Sequence, residues 1–337
     1  MPKQPAFAGL RDAMKKKQTR PELFLSEMDL VVPWGRMLGL IGPHYPKTGR
    51  KGGRPAMPLE TMLRVYFLQN WYALSDPMAE ETLYDSDAMR RFAGIELGDD
   101  RIPDETTILN FRHLLERHSL TQAIFAEVSA HLADKGITLR SGTLVDATII
   151  DAPSSTKNTE KTRDPEMSST KKGNDWYFGM KAHVGVDSHN GLVHSLETTT
   201  ARVHDSQVWD ELLHGDETSV WADKGYVNAE RAAEFAGPGK FWGVMRKAPK
   251  GGDLHPLDDR INRLIAKARA RVEHPFRVIK RQFGYVKTRY RGLAKNRAQL
   301  FTLFALGKCV RQSALEGQFR LHAISRAARG RDWIVRS

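Results

Sequence analysis

Apolar positions along this chain recur with two different periods, and the change between them divides it. From residue 59 the spacing is helical: in LETMLRVYFLQNWYAL, Leu59, Leu63, Tyr66, Phe67 and Leu74 follow a helical face that Asn70 interrupts. Turns are expected at Ser75-Asp76-Pro77 and Asp85-Ser86. A second helix is predicted after Pro103-Asp104, carrying Ile108, Phe111, Leu114 and Leu115, and a third from about Thr121 to Leu132. Residues 59–138 therefore read as a helical N-terminal domain.

Beyond residue 138 the period falls towards two. TLVDATII (143–150) is β-branched and apolar, WYFGMKAHVGVD (176–187) alternates, and GLVHSLETTT (191–200) is its expected hairpin partner. A short helix is predicted near 206–214, then a strand over SVWAD (219–223), a helix over 228–235, a strand over 241–245 and one long helix from about Leu257 to Phe283. This order predicts a mixed-sheet α/β domain with flanking helices over residues 139–310. Three segments lack either period. Residues 1–58 read as a basic flexible arm and linker, residues 151–175 as a polar mobile insertion with five Lys/Arg, and residues 311–337 as a basic tail.

Composition narrows the class. With 337 residues, 40% hydrophobic and 27% charged, the chain can bury a proper core. Its longest uncharged stretch, residues 65–75, is about half of the roughly 20 residues a membrane helix needs, which excludes a transmembrane span. The N-terminus lacks the apolar core of a secretory signal, and the single Cys309 excludes an internal disulfide and a cysteine-built zinc site, so a reducing cytoplasm is expected. The net charge of +12 is unevenly spread: 11 Lys/Arg face 5 Asp/Glu in residues 1–60, 21 face 30 in 61–253, 13 face 3 in 254–300, and 7 face 2 in 301–337. Basic ends around an acidic middle predict a polyanionic partner.

Three acids stand out against this background. Asp146 lies within an apolar strand, where a carboxylate is costly unless it is paired or metal-bound; the competing reading ends the strand at Val145 and leaves a surface Asp. Asp151 is a rival whose place before Pro153 suits strand termination. Asp223 closes a strand, at the end where α/β sheets build ligand crevices, although a turn Asp ahead of Gly225 accounts for it equally well. Glu273 is the only acid between Asp259 and Glu316, in a strongly basic segment. On a helix Arg269 and Lys280 share its face, next to an apolar stripe of Leu257, Ile261, Leu264, Ile265, Ala268, Val272, Phe276, Ile279 and Phe283. Pro275 should kink that helix, and a plain Arg269-Glu273 surface pair is the alternative.

In their contexts LVDATIID, WADKGY and ARARVEHPFRVIKRQFGY, these acids resemble the DDE triad of bacterial insertion-sequence transposases of the insertion sequence 5 type. The resemblance extends to SDPMAEETLYDSDAMRRFAG, PDETTILNFRHLLE and TARVHDSQ, and so covers most of the chain. Of the family's Tyr, Arg, Glu and Lys motif, Arg269, Glu273 and Lys280 match, while Ala266 stands at the Tyr position. The resemblance implies an RNase H-like mixed sheet flanked by helices, preceded by the helical domain. It implies Asp146, Asp223 and Glu273 as catalytic residues and ligands of Mg²⁺, with Mn²⁺ as a substitute.

Such a triad suits phosphodiester chemistry, because two ions roughly 4 Å apart stabilise both the attacking and the leaving oxygen, and Mg²⁺ needs only a few carboxylates and no Cys/His cage. Arg269, Lys280, Lys224 and Arg277 are the candidates for holding DNA phosphates. His183, His204 and Asp205 are candidate supports around the metal ligands, although a structural His and a helix-capping Asp205 are the plainer readings. Lys15, Lys16, Lys17, Arg50, Lys51 and Arg54 are expected to meet the DNA backbone, with the segment Lys287–Arg297. The helix over 106–115, with Asn110, Arg112 and His113 exposed, is the candidate reader of sequence. Trp71, Tyr72, Trp176, Tyr177 and Trp209 read as core or interface aromatics, and Tyr226 and Trp242 as candidates for contact with an unpaired base.

The expected partners are double-stranded DNA, as inverted repeats and target, and further copies of the chain, with no membrane. The expected activity is end cleavage and joining of 3′ hydroxyls to target DNA. The alternatives are a DNA-binding protein with a decayed site and a metal-dependent nuclease on the same fold; a glycosidase is disfavoured by the basic ends.

Overall fold

A computed structural model of the chain describes residues 17–46, 55–98, 100–137, 142–157, 159 and 161–316. Part of the segment expected to be a flexible arm is helical: α1 (Arg20–Val31) and α2 (Trp34–Ile41) precede α3 (Leu59–Tyr72). The reason is local. Thr19 and Glu22 form a capping box, with the Thr19 amide donating to Glu22 Oε2 at 2.7 Å, and Pro21 sits in the first turn. Phe24, Leu25, Met28 and Val31 then give α1 a buried face. Residues 47–54, with Arg50, Lys51 and Arg54, lie outside the described residues, as do Lys15 and Lys16.

Helix α3 is buried nearly all round, the mark of a central helix rather than a surface one. Around it lie α4 (Asp76–Asp85), α5 (Asp87–Ala93), α6 (Glu105–Arg117) and α7 (Leu120–Asp134). Ser75, Ser86 and Asp104 cap α4, α5 and α6 by accepting from backbone amides three residues on.

The remaining chain builds one six-stranded sheet from β1 (Gly142–Asp151), β2 (Ser168–Lys172), β3 (Asp175–Asp187), β4 (Val193–Thr200), β5 (Ser219–Ala222) and β6 (Phe241–Val244). Strand β3 pairs antiparallel with β1, β2 and β4, while β1–β5 and β5–β6 are parallel. An antiparallel meander feeding two parallel strands, with helices between and after them, is the RNase H-like arrangement, so the expected fold class is the one observed. The insertion expected to be a mobile polar loop is partly regular, because its residues 168–172 are β2.

Period-two alternation splits the sheet into two faces. Val145, Val220 and Ala222 pack with Trp209, Leu212 and Tyr226 in a small core, while Leu144 and Ile150 join the large core that continues into the helical domain. The short helix expected near 206–214 is two turns of 3₁₀-helix, Asp205–Val208 and Asp210–Leu212. After α8 (Ala229–Phe235), the single long helix expected over 257–283 changes pitch as it goes: α9 (Pro256–Arg269), a 3₁₀ turn (Ala270–Val272), α10 (Glu273–Arg277) and a π turn (Val278–Gln282). Pro275 lacks the amide that an uninterrupted α-helix needs there. Leu257 and Leu264 are exposed rather than part of the core stripe. The buried face of α9 is fixed instead by Ile265 and by Asn262, which exchanges two hydrogen bonds with the Arg246 backbone (2.8 and 3.0 Å). The chain closes with α11 (Leu293–Leu315), buried along most of its length.

Candidate active site

Neighbouring parallel strands place two of the acids. The register Thr143↔Val220 and Leu144↔Trp221, carried two residues further, sets Asp146 opposite Asp223. Both follow Leu144 and Trp221 at alternate positions and so share the face of the large core. Asp146 is largely buried, and its Oδ2 lies 3.2 Å from Arg269 Nη2, in the last turn of α9. Its other oxygen, Oδ1, accepts from the Ala147 amide at 2.8 Å. Burial raises the Asp146 pKa to about 6; Arg269 and the Ala147 amide oppose that shift, while Asp223 and Glu273 add to it. All three acids therefore lie within one electrostatic neighbourhood.

Asp223 also fulfils the plainer reading as a turn residue, its Oδ1 accepting from the Gly225 amide at 2.7 Å. Glu273 is exposed and begins α10 at the lip of a cleft of about 530 Å³, which Thr148, His274, Arg277, Lys280 and Arg281 also line. Lys280 reaches across to β1, donating to Thr148 Oγ1 and the Ile149 carbonyl, both at 2.7 Å. Burial lowers its pKa, as does Lys172, against the opposing pull of Asp151 and Glu273. Arg269 and Lys280 thus reach β1, at Asp146 and at Thr148 and Ile149, while Glu273 lies between them in sequence at the lip of the cleft. Thr148, His274 and Arg281 line the cleft without having been singled out from sequence; the signal for Thr148 was a polar residue two positions after Asp146 on the same strand face.

Among the described residues no three His, Cys, Asp or Glu side chains stand close enough to hold a metal ion. Asp146 is turned to Arg269 and Asp223 to its own turn. The donor chemistry nevertheless fits a hard divalent cation: the donors are carboxylates, and their mutual repulsion helps to raise the Asp146 pKa, a strain that added positive charge relieves. Arg269 supplies part of that charge here.

The other expected residues divide. Lys224 and Arg277 are exposed next to Asp223 and within the cleft respectively, and Lys17 is exposed. His183 is not beside the acids. It pairs with Ala147, on the opposite sheet face from Asp146, and its Nε2 meets Thr199 Oγ1 at 2.8 Å. Burial lowers its pKa to about 4. Asp205 pairs with Lys181 at 2.8 Å, and the cap of the 3₁₀ turn is His204, not Asp205. Arg112 is not an exposed DNA-reading residue. It is 6% exposed, salt-bridged to Asp76 (3.2 Å) and Glu116 (3.1 Å), and stacked 4.1 Å over Tyr290, so its charge is spent inside the protein. Tyr226, with 1% of its surface exposed, cannot meet a base, and Trp242 packs on Trp209 and Phe235. No helix among the described residues is long and apolar enough to cross a membrane.

Comparison with known proteins gives two family matches. Residues 137–306 match the family described as "Transposase DDE domain", and residues 12–114 match "Transposase domain (DUF772)". A cryo-EM structure of a piggyBac transposase synaptic complex with hairpin DNA is similar at a TM-score of 0.41 and 10% identity, covering 94% of this chain and 82% of that one.

Proposed function

The chain belongs to the transposase DDE domain family, and on that premise we propose that it is a DNA transposase of the insertion sequence 5 type. In this reading it binds the terminal inverted repeats of its own element, cleaves the ends and joins the 3′ hydroxyls to target DNA in the cytoplasm. It works as a homo-oligomer, because two ends must be processed together. The observation that carries the reading is the strand register that sets Asp146 of β1 and Asp223, just past β5, towards one sheet face, with Arg269 paired to Asp146, Lys280 bonded to Thr148, and Glu273 between them in sequence at the lip of the cleft.

Asp146, Asp223 and Glu273 would hold Mg²⁺, or Mn²⁺ in its place. When bound, divalent ions stabilise the negative charge that grows on the attacking and leaving oxygens of an in-line displacement. The protein's own contribution is positional. Arg269 keeps Asp146 ionised against its burial. Arg277 and Arg281 present exposed guanidinium groups at the cleft, where forked hydrogen bonding suits a phosphate. Lys280, tied to β1, adds a fixed donor beside Glu273, and Lys224 extends the basic rim past Asp223.

The test is a strand-transfer assay with Asp146→Asn, Asp223→Asn and Glu273→Gln on DNA containing the ends that flank the coding region. Each variant is expected to bind the ends and to lose cleavage and joining; unchanged activity in any one removes that residue from the triad. Nicked products without joined ones from the unmutated protein would point to a nuclease, and end binding without metal-dependent cleavage to a decayed site.

A further inference from the structure

Strands β2 and β3 run on past the rest of the sheet. Strand β1 ends at Asp151, opposite Gly179, and from Phe178 back to Asp175 strand β3 has only β2 as its strand partner. The root of this hairpin is tightly tied. A Cβ at Gly179 would lie 2.1 Å from the Ile150 carbonyl oxygen, so only glycine permits the approach. Ser168 Oγ accepts from Thr200 Oγ1 and from the Arg202 amide, the latter at 2.8 Å. Arg163 lies 5.3 Å from the Phe178 ring centroid and donates to the Ser154 carbonyl at 3.0 Å.

The tip differs from the root. Residues 171–176 are all exposed, and Gly173 turns the chain at φ +65°. Trp176 is 71% exposed, and among the described residues no ring or cation stacks on it. A bare indole next to Lys171, its cross-strand partner, and Lys172 is a poor patch for a protein partner, since lysine is depleted from the cores of such interfaces. Aromatic rings among cations are what unpaired nucleic acid uses: the ring takes a base face and the cations take phosphates.

The hairpin also faces the right way. The pairs Asp146↔Val184, Thr148↔Ala182 and Ile150↔Met180 put the even positions of β3 on the Asp146 face, and Phe178 and Trp176 continue that series. Thr148, which lines the cleft, pairs with Ala182 on that same face, and the charge of Lys172 is felt at Lys280 on the cleft wall.

We propose that the β2–β3 hairpin is a DNA-contacting arm whose Trp176 stacks on an unpaired base next to the cleft while Lys171 and Lys172 hold neighbouring phosphates. The assignment rests on the reading that this cleft acts on DNA, and it gives a role to an insertion that the triad leaves unused.

The test is fluorescence anisotropy with the full chain, comparing a blunt duplex with the same duplex carrying an unpaired 3′ tail. Trp176→Ala should weaken binding of the tailed DNA about five- to a hundredfold and leave the blunt duplex within about twofold. Trp176→Phe should retain most of the tail preference. Combined Lys171→Gln and Lys172→Gln should weaken both probes and reduce the salt slope by about two. Equal affinity of Trp176→Ala and unmutated protein for the tailed DNA overturns the proposal; if the unmutated protein still cleaves element ends, the transposase reading stands without it. An unmutated protein that binds neither probe overturns both.

Discussion

Arg269 and Asp146 form an ion pair, 3.2 Å between Nη2 and Oδ2, that joins the end of α9 to the middle of β1. The pair sits where Asp223 and Glu273 also act on the carboxylate, so the guanidinium both offsets their repulsion and fixes the helix over the strand. Arg269→Gln is expected to lower single-turnover end cleavage by at least about tenfold, because it leaves a largely buried carboxylate without its cation. Arg269→Lys should recover only part of this, since a point charge does not reproduce the planar fork. Full activity of the Gln variant would show that the pair has no part in the reaction.

Lys280 offers a separable case. Thr148→Val removes one acceptor from its ammonium group and keeps the Ile149 carbonyl. The expected cost in stability is about 1 kcal/mol, measured as a shift in urea midpoint. Cleavage should fall much less than in Lys280→Met, which removes the charge from the cleft. Equal losses in the two variants would mean that Lys280 acts through its hydrogen bond to Thr148.

A third expectation concerns pH and stability. His194 is held neutral among Thr143 Oγ1 (3.2 Å), Ser195 Oγ (2.9 Å) and the His214 ring, whose centroid is 5.1 Å away. Burial takes its pKa from the ordinary 6.5 down to about 4, and His214 adds to the shift. Between those values the unfolded chain binds the proton that the folded one refuses, so stability present above about 6.5 is lost as pH falls towards 4. The loss should be on the order of 1–3 kcal/mol. Urea titrations from pH 7 to 4.5 should show it, and His194→Gln should flatten the dependence; an equally steep slope in the variant would place its origin elsewhere.

Lys308 is buried in α11, 3.1 Å from the Phe125 ring centroid, and donates to Ser129 Oγ at 2.6 Å and the Phe125 carbonyl at 3.2 Å. Burial depresses its pKa strongly, so the charge contributes little to the fold. Ser129 already donates to the same carbonyl at 3.1 Å, so Lys308→Met orphans no acceptor. Its stability should stay within about 1 kcal/mol of the unmutated chain, whereas Lys308→Glu should lose several kcal/mol. Thermal melts of the two variants separate these outcomes, and a severe loss with Met would show that the polar contacts matter more than the charge.

The parts legible in the sequence were those set by local periodicity. The alternation around Asp146 needs only strand geometry, while Arg269, Glu273 and Lys280 fall in turns of different pitch, so one helical face describes their spacing only in part. What escaped depends on remote partners. Arg112 reads as an exposed helical cation until Asp76 and Tyr290 arrive from other elements to bury it. His183 falls on the far sheet face because of its register with Ala147, which no spacing reveals. Helix α1 hid in a basic segment, although its capping box, Thr19-Arg20-Pro21-Glu22, was there to be read.

Helix α11 joins the two halves of the molecule. Its first amides are capped from the insertion, Gly292 by Asp164 (2.6 Å) and Leu293 by Glu166 (2.7 Å), while further along Thr302 bonds Tyr66 of α3 (2.9 Å) and Lys308 bonds α7. The helical domain, made first on the ribosome, therefore lacks its central partner until residues near 315 have been synthesised. The apolar faces that α11 covers must wait through the making of the whole sheet, which makes the nascent chain a natural client for chaperones and the two halves poor candidates for separate expression.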